Sequence, residues 1–122
     1  MTTEHNSAAS LSRGPALVVE DNPIIAFDTK VMLEELGFSP VETLTSLNAG
    51  HEAVTTQAFN FVILDVRLGD DTSLEFARQL MERGTNFAFA SGYGDLGTLQ
   101  DQFQGRTILG KPYTKEQIGA LI

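Results

Sequence analysis

Charged and hydroxyl side chains follow several apolar segments of this sequence, at the points where each segment ends. Glu20 and Asp21 follow the first segment, Asp65 follows the most apolar one, and Lys111 follows the last. The hydroxyl of Ser91 follows another apolar segment between them. An ionised side chain beside a buried segment is costly unless it is paired. Each residue alone could start an ordinary loop, but together these five predict one functional site.

The apolar segment 61–64, Phe-Val-Ile-Leu, is the one around which the chain is organised. Four consecutive residues of β-forming type, too few for a helix, predict a strand buried on both faces. In an open α/β sheet, ligands bind just beyond the carboxyl ends of the strands. Asp65 follows this segment directly, so it is predicted to lie where a ligand would bind.

The composition restricts the possible functions. A chain of 122 residues with 42% hydrophobic residues is typical of one water-soluble domain, and we expect a cytoplasmic location. A net charge of −8 argues against nucleic-acid binding and favours a divalent cation or a basic protein surface. The absence of cysteine excludes disulfides and thiolate chemistry. No apolar run approaches the roughly 18–20 residues that a membrane span needs.

The pattern along the chain predicts five strands that alternate with helices. Asn22 and Pro23 favour the start of the first helix, and Gly37 favours its end. Thr72 or Ser73 would cap the third helix, after a polar loop over 67–71. Strands are predicted at 16–19, 38–41, 61–65, 87–90 and 107–109, and helices at 23–36, 46–57, 74–83, 96–103 and from 115.

This alternation predicts an α/β fold with a doubly wound, five-stranded parallel sheet, for which we take the flavodoxin-like order 2-1-3-4-5 as the working assumption. We expect residues 1–14 to form a flexible N-terminal tail and residues 15–122 to form the domain. The last helix has room for about eight residues before the sequence ends, and we expect the native element to extend further.

The predicted strand order brings the acidic residues together. Strands one and three are neighbours, so Glu20, Asp21 and Asp65 converge at one edge of the sheet. Three close carboxylates repel one another unless a cation lies among them, and Mg²⁺ (or Mn²⁺) suits such an oxygen-rich site. Lys111 would contact a phosphoryl oxygen, and the hydroxyl of Ser91 would donate a hydrogen bond to it. The set predicts a carboxylate nucleophile that forms an aspartyl phosphate.

Four motifs in this order resemble those of the receiver domain of bacterial two-component response regulators. They are Val-Val-Glu-Asp-Asn, Ile-Leu-Asp-Val-Arg-Leu, Ala-Ser-Gly-Tyr and Gly-Lys-Pro-Tyr, and the resemblance runs from residue 16 to the end. It implies that Asp65 is the phosphoacceptor and that Asp21 and Asp65 bind Mg²⁺ directly. It also implies that Glu20 acts on the metal through water and that the backbone carbonyl of Arg67 completes the metal shell.

The resemblance also assigns the remaining site residues and the partners. It implies that Ser91 is the switch hydroxyl, that Lys111 binds the phosphoryl group and that the Lys111–Pro112 peptide bond is cis. The phosphoryl donor would be a sensor histidine kinase or a histidine phosphotransfer protein. The signal would leave through protein contacts at the fourth helix, its neighbouring loops and the fifth strand.

The sequence departs from the common receiver pattern at Ile108, three residues before the lysine, where the family usually has Tyr or Phe. The segment 87–93 instead resembles the single-domain FAT GUY receivers, with Ser in place of their Thr. In that group the aromatic residue lies in the loop after the hydroxyl. Tyr93 is therefore the candidate for the moving aromatic ring, with simple packing over the fourth helix as the alternative.

Several other functions compete with phosphoacceptance. The spacing of Gly92, Gly94 and Gly97 matches a dinucleotide-binding motif, but the next strand lacks the acidic residue that binds ribose. A flavin phosphate would be repelled by the carboxylates after strand one. A metal-dependent phosphohydrolase of this fold usually has a second acid at the position of Arg67. A docking module without phosphorylation is the remaining alternative.

The two histidines are not assigned to this chemistry. His5 lies in the predicted tail and His51 in the second helix, and neither has an acidic neighbour at a strand end. We expect both side chains to be solvated.

Overall fold

The computed structural model describes residues 12–68, 71–92 and 108–122 of the chain. The strands in these residues are Ala16–Val19 (β1), Val41–Leu44 (β2), Phe61–Asp65 (β3), Arg67–Leu68 (β4), Asp71–Thr72 (β5), Phe87–Ser91 (β6) and Ile108–Gly110 (β7). Five of them form one parallel sheet in the order β2-β1-β3-β6-β7, and β4 and β5 form a separate hairpin. The described helices are Pro23–Glu35 (α1), Leu47–Thr56 (α2), Leu74–Arg83 (α3) and Lys115–Gly119 (α4).

The observed order of the main sheet confirms the predicted order 2-1-3-4-5 and the doubly wound α/β class. Successive residues of the central strands alternate between two hydrophobic clusters, one on each face of the sheet. Helices α2 and α3 cover one face, and α1 and α4 cover the other. This double coverage explains why the inner strands have continuous apolar sequences rather than alternating ones.

Helix α1 begins as the sequence predicts. The Asn22 side chain accepts hydrogen bonds from the backbone N–H groups of Ile24 (2.9 Å) and Ile25 (3.2 Å), and Pro23 is the first helical residue. Gly37 follows the end of the helix with a φ of 107°, a conformation that favours glycine. Asn22 and Pro23 fix the start of α1 two residues after Asp21, close to the carboxyl end of β1.

The edge strand lies later in the chain than predicted. Strand β2 spans Val41–Leu44 rather than 38–41. The ring of Phe38 stacks on that of Phe61 at 5.7 Å, so its apolar side chain packs in the core from a loop. Pro40 has no N–H to donate, although its carbonyl accepts a hydrogen bond from Ala16 N at 3.0 Å. Regular pairing with β1 therefore begins at Val41.

The segment predicted as a polar loop contains a short antiparallel hairpin. Strand β4 pairs with β5 through Arg67 with Thr72 and Leu68 with Asp71. Strands of two residues are too short to show any periodicity, so the sequence pattern could not predict them. Helix α3 then runs to Arg83 and ends at Gly84, which has a φ of 72°, as predicted.

The end of the chain agrees with the prediction in order but not in extent. Strand β7 is observed over Ile108–Gly110, and Thr107, the predicted first residue, lies outside the described residues, as does the predicted helix 96–103. Helix α4 spans five residues rather than about eight, and Thr114 and Gln117 form a capping box at its start. The Lys111–Pro112 peptide bond is cis, as the resemblance implied.

Part of the predicted tail is attached to the domain. Arg13 donates its backbone N–H to Gly37 O (2.9 Å) and its Nε–H to Leu36 O (2.8 Å). Its own carbonyl accepts a hydrogen bond from Asn60 Nδ2 at 2.7 Å. Residues 1–11 lie outside the described residues, so the rest of the tail prediction is untested. None of the helices in the described part of the chain has the length and apolar character of a membrane span.

The prediction that His51 is solvated is wrong. Its side chain is half-buried between α2 and α3, with Nδ1 2.5 Å from Gln79 Oε1. The rings of His51 and Phe76 pack in a T-shaped arrangement at a centroid distance of 4.9 Å. The sequence pattern placed His51 on α2 but could not show that α3 packs against that side. His5 lies outside the described residues.

Candidate functional site

The carboxyl ends of β1 and β3 bring the predicted acidic residues together. Val19 pairs with Leu64, so Glu20 and Asp65, which follow them, lie side by side at the same edge of the sheet. One carboxylate oxygen from each of Glu20, Asp21 and Asp65 lies within 4.8 Å of the others. The convergence predicted from the strand order is therefore present in the structure.

Lys111 joins the same cluster from the loop that follows β7. Its Nζ lies 2.9 Å from Glu20 Oε1 and donates a hydrogen bond to Asp65 Oδ2 at 3.0 Å. The backbone holds this loop against the neighbouring strand, because Lys111 N donates to Ser91 O at 2.9 Å. One ammonium group thus lies between two carboxylates from different strands.

Burial makes these charges interdependent. Glu20 is 2% exposed and Asp65 is 6% exposed, whereas Asp21 faces solvent. Burial raises the pKa of the Glu20 carboxyl, although hydrogen bonds from the Lys111 side chain and from the backbone N–H of Asn22 act in the opposite direction. Burial alone would lower the pKa of Lys111, but its contacts with Glu20 and Asp65 outweigh this, so the pKa is raised. The site therefore keeps Lys111 as a cation between two carboxylates.

The cluster fits a hard divalent cation. Its three carboxylates supply the oxygen ligands that Mg²⁺ prefers, and Asp21 opens the cluster to solvent. Glu20 Oε2 accepts a hydrogen bond from Asn22 N at 3.0 Å, and the buried Oε1 lies 2.9 Å from Lys111 Nζ. A carboxylate oxygen can accept more than one hydrogen bond, so Oε1 could also accept one from a metal-bound water. The acidic residues present are therefore compatible with Mg²⁺.

The hairpin after β3 orients the backbone around Arg67. Ser73 N donates to Val66 O at 2.9 Å, and this bond flanks the pair formed by Arg67 and Thr72. Hydrogen-bonded and non-hydrogen-bonded pairs alternate in an antiparallel ladder, so Arg67 and Thr72 form a non-hydrogen-bonded pair. The hairpin ladder therefore does not use the Arg67 carbonyl, which the resemblance assigns to the metal shell.

Of the other residues singled out in the sequence, Ser91 and Ile108 are described by the structure and Tyr93 is not. Ser91 is buried at the end of β6, and its hydroxyl donates to Gly92 O at 2.9 Å. A hydrogen bond from this hydroxyl to a phosphoryl group would replace that bond. Ile108 is half-buried at the start of β7. Tyr93 lies outside the described residues, so its role as the switch aromatic stays a prediction.

Sequence analysis missed a buried hydrogen bond behind the site. The hydroxyls of Thr29 and Tyr113 lie 2.6 Å apart, and Thr29 Oγ1 also donates to Ile25 O at 2.8 Å. This contact joins α1 to the loop that carries Lys111 and Pro112. The Tyr that follows the Lys-Pro pair was the available signal, because a buried Tyr usually has a partner for its hydroxyl.

Tyr113→Phe is expected to lower the free energy of unfolding by about 1 kcal/mol, because it removes one buried hydrogen bond. Thr29→Val should have a similar effect, and the double variant should lose less than the sum. Burial raises the pKa of Tyr113, so its stabilising contribution is complete below about pH 10. This stabilising contribution is lost as the pH rises through the pKa that Tyr113 has in the folded state. Urea unfolding at neutral and alkaline pH measures both effects, and equal stabilities of wild type and Tyr113→Phe would contradict the assignment.

A known protein family matches most of the chain. The family described as the response regulator receiver domain matches residues 16–122. The chain belongs to this family of two-component signalling domains. The resemblance to the FAT GUY group depends partly on Tyr93 and stays a prediction.

Particular relatives agree with this assignment. SdrG from Sphingomonas melonis Fr1, a solution structure, is 32% identical with a TM-score of 0.79, over 91% of this chain and 95% of SdrG. A CheY-like response regulator receiver domain from Methylobacillus flagellatus is 30% identical with a TM-score of 0.74, over 86% of this chain and 92% of that one. The sensory transduction protein LytR of Staphylococcus haemolyticus (strain JCSC1435) is 21% identical over 105 residues, 84% of this chain and 41% of LytR. The chain thus spans about two fifths of that curated relative.

Proposed function

We propose that this domain accepts a phosphoryl group from a phosphohistidine onto Asp65, with Mg²⁺ bound beside it, and passes on the signal through protein contacts. The observation that carries the proposal is the position of Lys111 Nζ between Glu20 and Asp65, at a cluster of three carboxylates. This arrangement combines a carboxylate nucleophile, a cation-binding set and a fixed positive charge. Phosphoryl transfer requires mainly such positioning and positive charge.

In the proposed reaction, a carboxylate oxygen of Asp65 attacks the phosphorus atom of the phosphohistidine. The P–N bond breaks as the O–P bond forms, and the electron pair of the broken bond stays on the imidazole nitrogen, which takes up a proton. Lys111 would move its contact from Asp65 Oδ2 to an oxygen of the new phosphoryl group. When bound, Mg²⁺ supplies further positive charge at the phosphoryl oxygens. Asp21, Asp65 and the Arg67 carbonyl would hold it, with Glu20 acting through water.

Intact-mass measurement after incubation with acetyl phosphate tests the proposal. The wild-type protein should gain the mass of one phosphoryl group in the presence of Mg²⁺ and none in EDTA. Where the small donor fails, a phosphorylated histidine kinase or phosphotransfer protein takes its place. If neither donor adds mass while Mg²⁺ still binds, phosphoacceptance is wrong and the docking module becomes the better interpretation.

The start of α1 is the surface on which we place the phosphohistidine donor. Ile24 is 73% exposed and Phe27 is 63% exposed, and residues three apart share one face of a helix. Helix α1 begins two residues after Asp21, so this apolar face adjoins the phosphoacceptor. Next to it, a cavity of about 320 Å³ lies between α1 and the loop at Pro112. A donor that delivers its histidine to Asp65 would cover these side chains.

Replacement of Phe27 by Ser is expected to lower the rate of transfer from a phosphohistidine donor about tenfold, because an aromatic contact at the edge of the reaction site is lost. The rate with acetyl phosphate should stay within about twofold of wild type, since this small donor needs no docking surface. Met81→Ser provides the control: Met81 is 40% exposed on α3, on the other face of the sheet. Equal loss with both donors, or an equal effect of Met81→Ser, would contradict this docking surface.

Arg67 bears on the alternative of a metal-dependent phosphohydrolase. Its exposed side chain occupies the place where such enzymes usually have a second acid, so no carboxylate at that position would activate water. We infer that release of the phosphoryl group depends on slow autodephosphorylation or on transfer to another protein. The decay of the added mass after removal of the donor measures this lifetime.

A further inference from the structure

The hydroxyl of Ser73 has an unusual partner for its position in the fold. Ser73 is fully buried at the N-cap position of α3, where serine normally accepts a hydrogen bond from the first helical turn. Its side chain makes no such capping bond, and its backbone (φ −95°, ψ 15°) is not extended as in α1 and α2. Oγ instead donates to Val66 O at 3.2 Å. The prediction that Thr72 or Ser73 caps this helix is therefore right in position, because Ser73 is the N-cap residue. It is wrong in mechanism, because the Ser73 side chain makes no capping hydrogen bond.

Val66 is held from both sides. Its carbonyl accepts two hydrogen bonds from Ser73, one from Oγ and one from the backbone N–H at 2.9 Å. Its own N–H donates to Ala90 O at 3.0 Å, and its side chain is 5% exposed. The peptide groups of Val66 are therefore attached to β6 on one side and to the start of α3 on the other.

Val66 is also the residue between two groups of the proposed metal site. Asp65 precedes it and Arg67 follows it, and Arg67 N lies 3.4 Å from Asp65 Oδ1. Rotation of the Val66 carbonyl would turn the following peptide group and so change the direction of the Arg67 carbonyl. The hydrogen bonds from Ser73 oppose that rotation.

We propose that Ser73 is a positioning residue, whose hydroxyl fixes the Val66 peptide so that the Asp65 carboxylate and the Arg67 carbonyl face the same cation. The inference rests on the proposed function, because it assumes that a divalent cation binds between these two groups. The hydroxyl acts on the loop and not on the helix, since it makes no capping bond. Its effect should therefore be measurable in metal binding, apart from any effect on stability.

The test is the affinity for Mg²⁺ of Ser73→Ala, measured by isothermal titration calorimetry of the whole chain. This variant keeps the backbone hydrogen bond to Val66 and loses only the one from Oγ, so affinity should fall roughly three- to tenfold. In acetyl phosphate reactions the half-saturating Mg²⁺ concentration should rise by the same factor, while the rate at saturating Mg²⁺ stays within about twofold. Thr55→Val is the matched control, because Thr55 Oγ1 donates to a backbone carbonyl, His51 O at 2.8 Å, on α2.

The outcomes separate this inference from the proposed function. Equal Mg²⁺ affinity of Ser73→Ala, Thr55→Val and wild type would overturn the inference alone. A wild-type protein that binds Mg²⁺ but accepts no phosphoryl group would overturn the proposed function, and the affinity comparison would still decide the inference. A wild-type protein that binds no Mg²⁺ would overturn both. If Ser73→Ala does not fold, Ser73→Gly, which also lacks the hydroxyl, is measured in its place with the same expected loss.

Discussion

Asp65→Asn is expected to lower the rate of phosphoryl uptake by at least roughly a thousandfold, because it removes the nucleophile itself. The amide has nearly the shape of the carboxylate, so the variant should keep the buried position at the end of β3. Its oxygen is neutral and a poor nucleophile, and its contact with Lys111 loses one of the two charges. Intact mass with acetyl phosphate and Mg²⁺ over time provides the measurement.

Asp28→Asn is the matched control for this variant. Asp28 is an exposed carboxylate on α1, and it lines the cavity beside Lys111 and Pro112. The control changes the net charge near the site by the same amount and leaves the acidic cluster intact. It should take up the phosphoryl group at nearly the wild-type rate. Uptake by Asp65→Asn at a comparable rate would show that another residue is the acceptor.

Lys111→Met is expected to slow phosphoryl uptake roughly a hundredfold, because one fixed positive charge at the phosphoryl oxygens is lost. The same change should raise the affinity for Mg²⁺ several-fold. Without the ammonium group, Glu20 and Asp65 lose the cation that lies 2.9 and 3.0 Å from their oxygens, and a metal ion becomes their remaining counter-charge. Opposite changes in metal affinity and reaction rate are therefore the specific expectation, measured by calorimetry and by intact mass.

Lys115→Met serves as the control for Lys111→Met. Lys115 also pairs with a carboxylate, Glu35 Oε1 at 3.4 Å, but this pair lies at the surface. Its loss should change neither the affinity for Mg²⁺ nor the rate of uptake by more than about twofold. If Lys111→Met lowered both quantities together, Lys111 would be holding the site in shape rather than contacting the phosphoryl group.

The sequence predicted best those elements whose residue pattern is typical of a single kind of structure. The run of apolar residues before Asp65 indicated a strand covered on both faces, and the alternation with helices indicated a doubly wound parallel sheet. The convergence of Glu20, Asp21 and Asp65 followed once the order 2-1-3-4-5 was assumed for that sheet. The edge strand was harder, because Phe38 is as apolar as a strand residue and yet packs from a loop.

Contacts between elements distant in sequence could not be predicted in the same way. The hydroxyl of Ser73 fits a helix cap by every local rule, but in the structure it donates to Val66 O. The hydrogen bond between Thr29 and Tyr113 spans 84 residues, and the half-buried state of His51 depends on how α3 packs against α2. Local patterns decide which elements form, whereas these contacts depend on the distance and angle between elements.

The residue that carries the phosphoryl group decides whether Asp65 is the acceptor. Borohydride reduces an aspartyl phosphate to homoserine, which marks the acceptor by a change in mass that survives proteolysis. The protein is phosphorylated with acetyl phosphate and Mg²⁺, reduced, digested and sequenced by mass spectrometry. We expect homoserine at position 65 in the wild-type protein and no modified residue when Mg²⁺ is withheld. A phosphoryl group found on Asp21, on Ser91 or on any residue other than Asp65 would contradict this expectation.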